Sequence, residues 1–127
     1  MSAKTILYVE DNEMNRKIVR DLLKRTTYTL IEAFDGEAGV AKALEAKPDL
    51  ILMDIQLPKI SGMDAMRQIR ADASMAATPI VAITSFALSG DDQKAKAAGA
   101  TAYLAKPYSP LELLGLIRKL LPEGPPA

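Results

Sequence analysis

The chain has 127 residues, with 16 basic side chains balanced by 16 acidic ones, so no bulk charge favours nucleic acid or an anionic membrane. Apolar residues make up 49% and charged ones 25%, a globular balance, and the absence of Cys and His excludes disulfides, thiolate and imidazole chemistry and the usual transition-metal ligands. No stretch approaches the ~20 apolar residues of a membrane span, and the opening MSAKTILYVEDN meets acids too early for a signal peptide. A soluble, cytoplasmic protein is expected.

Thr5 to Glu10 (TILYVE) has the branched and aromatic content of a buried strand. Over Glu13 to Arg25, Met14, Ile18 and Leu22 recur at helical spacing with Val19 and Leu23, and Asn12 is placed to cap that helix. Thr29 to Phe34 predicts a second strand and Gly36 to Ala46 a second helix, closed by Pro48 before a third strand, Asp49 to Asp54. A third helix is expected over Gly62 to Arg70 and a fourth strand over Pro79 to Ile83. A polar, Ala-rich helix over Ser89 to Ala98 then ends at Gly99 as a left-handed cap. Thr101 to Ala105 is the fifth strand, and Pro110 to Leu121 the last helix, with Pro in its first turn. Five βα units predict an α/β fold, a doubly wound, flavodoxin-like parallel sheet of five strands in the order 2-1-3-4-5. Residues 122–127 (PEGPPA) read as a flexible tail.

Polar residues follow four of the five apolar runs. The first ends in Glu10 and Asp11, the third in Asp54, the fourth in Thr84 and Ser85, the fifth in Lys106 and Pro107. A parallel sheet brings these carboxyl ends to one edge, and in the order 2-1-3-4-5 the first and third strands are neighbours at the switch point. Glu10, Asp11 and Asp54 should therefore meet. Carboxylates brought together repel, and a divalent cation is the remedy. Without His or Cys, the oxygen-preferring Mg²⁺ or Mn²⁺ fits best. With Lys106 and the Thr84 hydroxyl added, the set describes a phosphoryl-transfer site in which a carboxylate attacks phosphorus.

The motifs YVEDN (Tyr8 to Asn12), LMDIQLPKISG (Leu52 to Gly62), ITSFA (Ile83 to Ala87) and YLAKP (Tyr103 to Pro107), in this order at strand ends, resemble the response-regulator receiver domain of two-component systems. The resemblance runs from about Lys4 to Leu121 and implies a receiver domain over 1–121. The bare length and DIQLPKISG look most similar to DivK-type single-domain regulators of cell polarity and the cell cycle. It implies that Asp54 is the phosphoacceptor and that Asp11 ligates Mg²⁺ directly. Glu10 would act through water, and Gln56 would lend its backbone carbonyl. Thr84, Lys106 and the Ser85 backbone N–H would hold the phosphoryl oxygens, with Thr84 and Tyr103 as the switch pair and Lys106–Pro107 a cis peptide. Gln56 and Phe86 stand where relatives tune the phosphoryl lifetime. The acidic pair departs from the commoner Asp-Asp, which touches only the water-mediated role of Glu10.

Such a protein is a switch rather than a classical enzyme. Its implied donor is a histidine kinase or histidine phosphotransfer protein, and its output is a downstream protein, with no direct DNA binding and no membrane insertion. Each residue also has a plainer reading: Glu10 and Asp11 as helix caps, Thr84 as a buried β-branched residue, Lys106 as a solvated lysine, Tyr103 as a half-buried aromatic with its hydroxyl at the rim. The basic residues Arg16, Lys17, Arg20, Lys24 and Arg25 of the first helix suggest either a solvated face or a kinase-docking face. Leucines exceed one stripe in the last helix, so part of it, Leu113 included, is expected to meet a partner or a second copy, the plainer alternative being rim contact with the neighbouring helix. A dehalogenase-type phosphatase needs an acid where Gln56 stands, and a flavin carrier needs a phosphate loop in place of DNEMNRK.

Overall fold

The alternation of apolar runs and helical repeats folds into five βα units in a computed structural model that describes residues 4–57, 60–84, 91–106 and 108–122. In chain order these are β1 (Thr5–Val9), α1 (Glu13–Leu23), β2 (Thr29–Ala33), α2 (Gly36–Ala46), β3 (Leu50–Asp54) and α3 (Gly62–Arg70). A 3-10 turn at Ala73–Met75 follows, which the sequence patterns did not suggest. Then come β4 (Ile80–Thr84), α4 (Asp91–Ala98), β5 (Ala102–Ala105) and α5 (Pro110–Leu120). All pairings are parallel and the order is β2-β1-β3-β4-β5, as expected. Val9 lies opposite Met53, and Asp54 opposite Ile83, so the carboxyl ends of the inner strands are level.

Alternation along the strands splits the core in two. Leu7, Val9, Ile51, Met53 and Ala82 face α2, α3 and α4, where they pack with Ala43, Ala65, Met66 and Ile69. Ile6, Tyr8, Leu50, Leu52, Val81 and Ile83 face α1 and α5, packing on Val19, Leu23, Leu113, Leu114 and Ile117. All five residues of β3 and of β4 are buried. This double-sided burial makes the inner strands a rigid platform for whatever stands at their ends.

Strand and helix ends differ from the sequence reading by one or two residues, for local reasons. Glu10 leaves β1, although its N–H still reaches the Ala33 carbonyl at 3.0 Å. Pro79 has no N–H to give, so β4 starts at Ile80 and runs one residue further, to Thr84. Thr101 stays outside β5 because its hydroxyl accepts the Ile80 N–H at 3.1 Å. Gly99 has φ +117°, the conformation that favoured glycine at that cap. The expected helix start at Ser89 lies outside the described residues.

Two expectations about helix faces are corrected. The buried stripe of α1 is Arg16, Val19 and Leu23, whereas Met14 and Ile18 are 67% and 48% exposed. An arginine takes the inward place because acceptors at the sheet edge draw it there. In α5, Leu113 is fully buried among Ile6, Tyr8 and Val81, so it is a core residue and not part of a docking face; Leu111 is the exposed one.

Candidate functional site

The end of β3 delivers Asp54, 3% exposed, beside Glu10 at the end of β1. Oxygens of Glu10, Asp11 and Asp54 all lie within 4.8 Å of one another, as the strand order predicted. Lys106, one residue past β5, reaches across with Nζ 2.9 Å from Glu10 Oε1 and 3.2 Å from Asp54 Oδ2. Its own N–H is held by the Thr84 carbonyl at 2.7 Å, which fixes the root of the side chain to β4. Neither Asp54 nor Lys106 is a solvated surface charge.

The structure adds contacts, and the residues Tyr8 and Asn15, to which the sequence assigned no role at the site. Gln56 donates its backbone N–H to Asp54 Oδ1 at 2.9 Å and its side-chain amide to the fully buried Thr84 hydroxyl at 3.0 Å. These two donors add to the backbone carbonyl that the resemblance assigned to Gln56. Glu10, 1% exposed, accepts from Tyr8 Oη (3.3 Å), Asn12 N–H (3.2 Å) and Asn15 Nδ2 (3.3 Å) as well as from Lys106. Asn12 also caps α1 through the Asn15 N–H, so the same short loop ends the strand, starts the helix and surrounds the glutamate. Tyr8 is two residues before Glu10 on an alternating strand, a spacing that puts both on one face.

The charges are strongly unequal. Burial first, then the neighbouring Glu10, pushes the Asp54 carboxyl up from 3.8 to about 7, against the opposing pull of Lys106 and the Gln56 N–H. Burial also acts to raise Glu10, but hydrogen bonds from Asp54, Lys106 and the Asn12 N–H outweigh it and hold that carboxyl below its ordinary range. Asp11, exposed, is raised by partial desolvation and by Glu10. Lys106 would be lowered by burial, yet its two carboxylate partners raise it. Burial raises the hydroxyls of Tyr8 and Tyr108, which contact each other. Within the acidic group, then, Asp54 and Asp11 hold their protons more tightly than free carboxyls do and Glu10 less tightly.

Gly62 sets the close approach of α3 to this edge. A Cβ there would stand 2.1 Å from the Asp54 carbonyl oxygen and 2.7 Å from Ile55 Cα, so only glycine lets the helix start against the strand end. Tyr103 is half-buried on β5 and packs with the core beneath α3 and α4, and its hydroxyl oxygen is buried rather than at the rim. Ser85, Phe86 and Pro107, with the expected cis peptide, lie outside the described residues.

The donor set suits a hard cation: three carboxylates at one point, in a chain with no His and no Cys. Among the described residues no helix is long and apolar enough to cross a membrane.

The profile of the response regulator receiver domain matches residues 6–118. The chain is 38% identical over 118 residues to the polar-differentiation response regulator DivK of Brucella anthropi, an alignment covering 93% of this chain and 96% of that protein. Its fold is similar to the chemotaxis response regulator CheY4 of Vibrio cholerae, with a TM-score of 0.88 and 31% identity over 94% of this chain and 99% of the other. The receiver domain of a sensor histidine kinase from Pseudomonas aeruginosa gives 0.85 and 36% over 93% and 97%. That structure has a magnesium ion coordinated in its active-site cleft.

Proposed function

This chain belongs to the response-regulator receiver-domain family, and we propose that within it Asp54 accepts a phosphoryl group from the phosphohistidine of a histidine kinase or phosphotransfer protein. The observation that carries this reading is the Asp54 carboxylate, fixed at the end of a fully buried strand and faced by Lys106 at 3.2 Å. An Asp54 oxygen attacks phosphorus, the P–N bond to the donor imidazole breaks, and its electron pair returns to the ring nitrogen, which takes up a proton. The product is an acyl phosphate on Asp54; attack by water on phosphorus breaks its P–O bond to the carboxyl, returning the carboxylate and releasing inorganic phosphate.

Each neighbour then has a role. Lys106 offsets negative charge on the phosphoryl oxygens. The Thr84 hydroxyl and the Ser85 backbone N–H are their further donors. Thr84, now held by Gln56, re-bonds to the new group, and Tyr103 is the aromatic that responds to that movement. Mg²⁺ would be held by Asp11 and Asp54 directly, by the Gln56 carbonyl, and by Glu10 through water; when bound it supplies positive charge that favours ionised Asp54 and offsets the phosphoryl charge. Mn²⁺ suits the same donors.

Residues 1–121 form the receiver domain in this reading and 122–127 its tail. The protein works in the cytoplasm, and its output runs to a downstream protein, with α5 as the surface for a homodimer through exposed Leu111. Incubation with acetyl phosphate and Mg²⁺ should add one phosphoryl group, read by intact mass, and Asp54→Asn or chelation should abolish it. Uptake by Asp54→Asn at the wild-type rate would overturn the assignment.

A further inference from the structure

Arg16 is a buried cation that the phosphoryl chemistry does not use. Its side chain is 8% exposed, and its ion-pair partners, Glu13 and Glu32, are not the acids of the Glu10, Asp11 and Asp54 group. Nη1 donates to the backbone carbonyl of Glu10 at 2.8 Å. The rest of the guanidinium meets Glu13 and, at 3.4 Å, Glu32 of β2. The exposed ring of Phe34 covers it, 4.3 Å from the guanidinium carbon. Four groups therefore converge on one side chain, and the main-chain group among them is the carbonyl of the peptide joining Glu10 to Asp11.

That peptide is where geometry matters for a cation. Glu10 is anchored through its N–H to Ala33 and through its carboxylate to Tyr8, Asn12, Asn15 and Lys106. Asp11 is the exposed member of the acidic group, and its carboxylate projects from a loop residue. The direction of its Cα is set by the plane of the preceding peptide, and the Arg16 hydrogen bond to the Glu10 carbonyl holds that plane. We propose that Arg16 is a positioning residue for the acidic loop, holding the Glu10–Asp11 peptide so that Asp11 meets a divalent cation together with Asp54. The inference rests on the Mg²⁺ reading of the site.

The sign of the effect separates positioning from charge. Arg16 is a cation near a cation site, so loss of its charge alone would tighten metal binding. Loss of positioning weakens it, by the 10–100-fold typical of outer-shell partners of metal ligands.

The experiment is calorimetric titration of the full chain with Mg²⁺, alongside thermal melts of the same samples. Arg16→Met should bind Mg²⁺ roughly 10-fold or more weakly. Arg16→Lys, which keeps a donor for the carbonyl, should recover part of the affinity. Should Arg16→Met fail to fold, Arg16→Lys alone carries the test, with an intermediate loss expected. Glu32→Gln disturbs the ion pairs of Arg16 and Arg20 but leaves the carbonyl bond, so it should lower the melting temperature with Mg²⁺ affinity unchanged. Equal or tighter binding by the Arg16 variants overturns the inference, as does a loss in Glu32→Gln matching theirs. Wild-type protein that takes up no Mg²⁺ overturns the metal reading itself and this inference with it.

Discussion

Replacing Asp54 with Asn should stabilise the metal-free protein at alkaline pH, and progressively less as the pH falls. The carboxyl is 3% exposed and is raised from 3.8 to about 7 by burial and by Glu10. An unfolded chain releases this proton near its ordinary value of 3.8. Between that value and about 7, the folded state therefore binds a proton that the unfolded state has lost. Stability falls as pH rises through the window, and the whole cost is present above it. At about 1.4 kcal/mol per pH unit, a rise from 3.8 to about 7 corresponds to roughly 4 kcal/mol. Some of this returns through Glu10, which the same proton holds below its ordinary range. The asparagine keeps the shape and still accepts the Gln56 N–H, but Lys106 loses one carboxylate. A net gain of about 1–3 kcal/mol at about pH 8 is expected, shrinking toward zero near pH 4.

The assay is a series of urea melts of wild type and Asp54→Asn in chelator across that pH range. In thermal melts the alkaline gain is on the order of 3–10 °C for a domain of this size. A variant less stable than wild type at about pH 8, or a difference that does not change with pH, would refute the reasoning. Either result would mean that Asp54 is ionised and that Lys106 fully compensates its burial.

Millimolar Mg²⁺ should raise the melting temperature of wild type at about pH 8 by the linkage of binding to folding, about 1.4 kcal/mol at tenfold the dissociation constant, and leave Asp54→Asn nearly unmoved; an equal shift in both would place the ion elsewhere. Leu113→Glu puts a charge among fully buried residues and should cost more than about 4 kcal/mol, ending cooperative folding. Leu111→Glu, at a 77% exposed position, should stay within about 0.5 kcal/mol while weakening any self-association seen by sedimentation. Gly62→Ala drives a methyl group against the Asp54 carbonyl oxygen and Ile55 Cα, both main-chain atoms, and should cost roughly 1–3 kcal/mol in urea melts. It should also slow phosphoryl uptake, since the strand end must shift to make room.

Strand order and the meeting of Glu10, Asp11 and Asp54 were legible because both follow from local patterns joined by one topological rule. Buried strands read as apolar runs, and a parallel sheet puts their carboxyl ends together without any knowledge of side-chain conformation. Arg16 was not legible in this way. Its position in α1 reads as one more basic residue on a solvated face, and the inward place becomes favourable only when the fold brings Glu32 and Phe34, from β2 and the loop after it, to join Glu13 and the Glu10 carbonyl. Leu113 failed for the opposite reason. In a leucine-rich helix the spacing allows several stripes, and the burial of Leu113 with Leu114 and Ile117 was settled by where β1 and β4 present Ile6, Tyr8 and Val81.

The glutamate at position 10 shows how a conservative-looking difference takes on structural content. A carboxylate buried to 1% needs several donors to offset its lost hydration. Glu10 has them from four residues: Tyr8, Asn12, Asn15 and Lys106. Two of these, Tyr8 and Lys106, come from β1 and from the residue after β5, on opposite sides of β3 and β4 in the sheet order. An aspartate on the same backbone would be one methylene shorter and would reach fewer of them. Length therefore turns the first acid of the pair into an anchor for Lys106, and Asp11 is left as the exposed member of the acidic group. Asp54 is then the carboxyl with the weakest compensation, which is why burial raises it to about 7 while Glu10 beside it falls. The apolar run that precedes Asp54 keeps the strand rigid; the unequal sharing of donors between two neighbouring acids keeps its carboxyl poised.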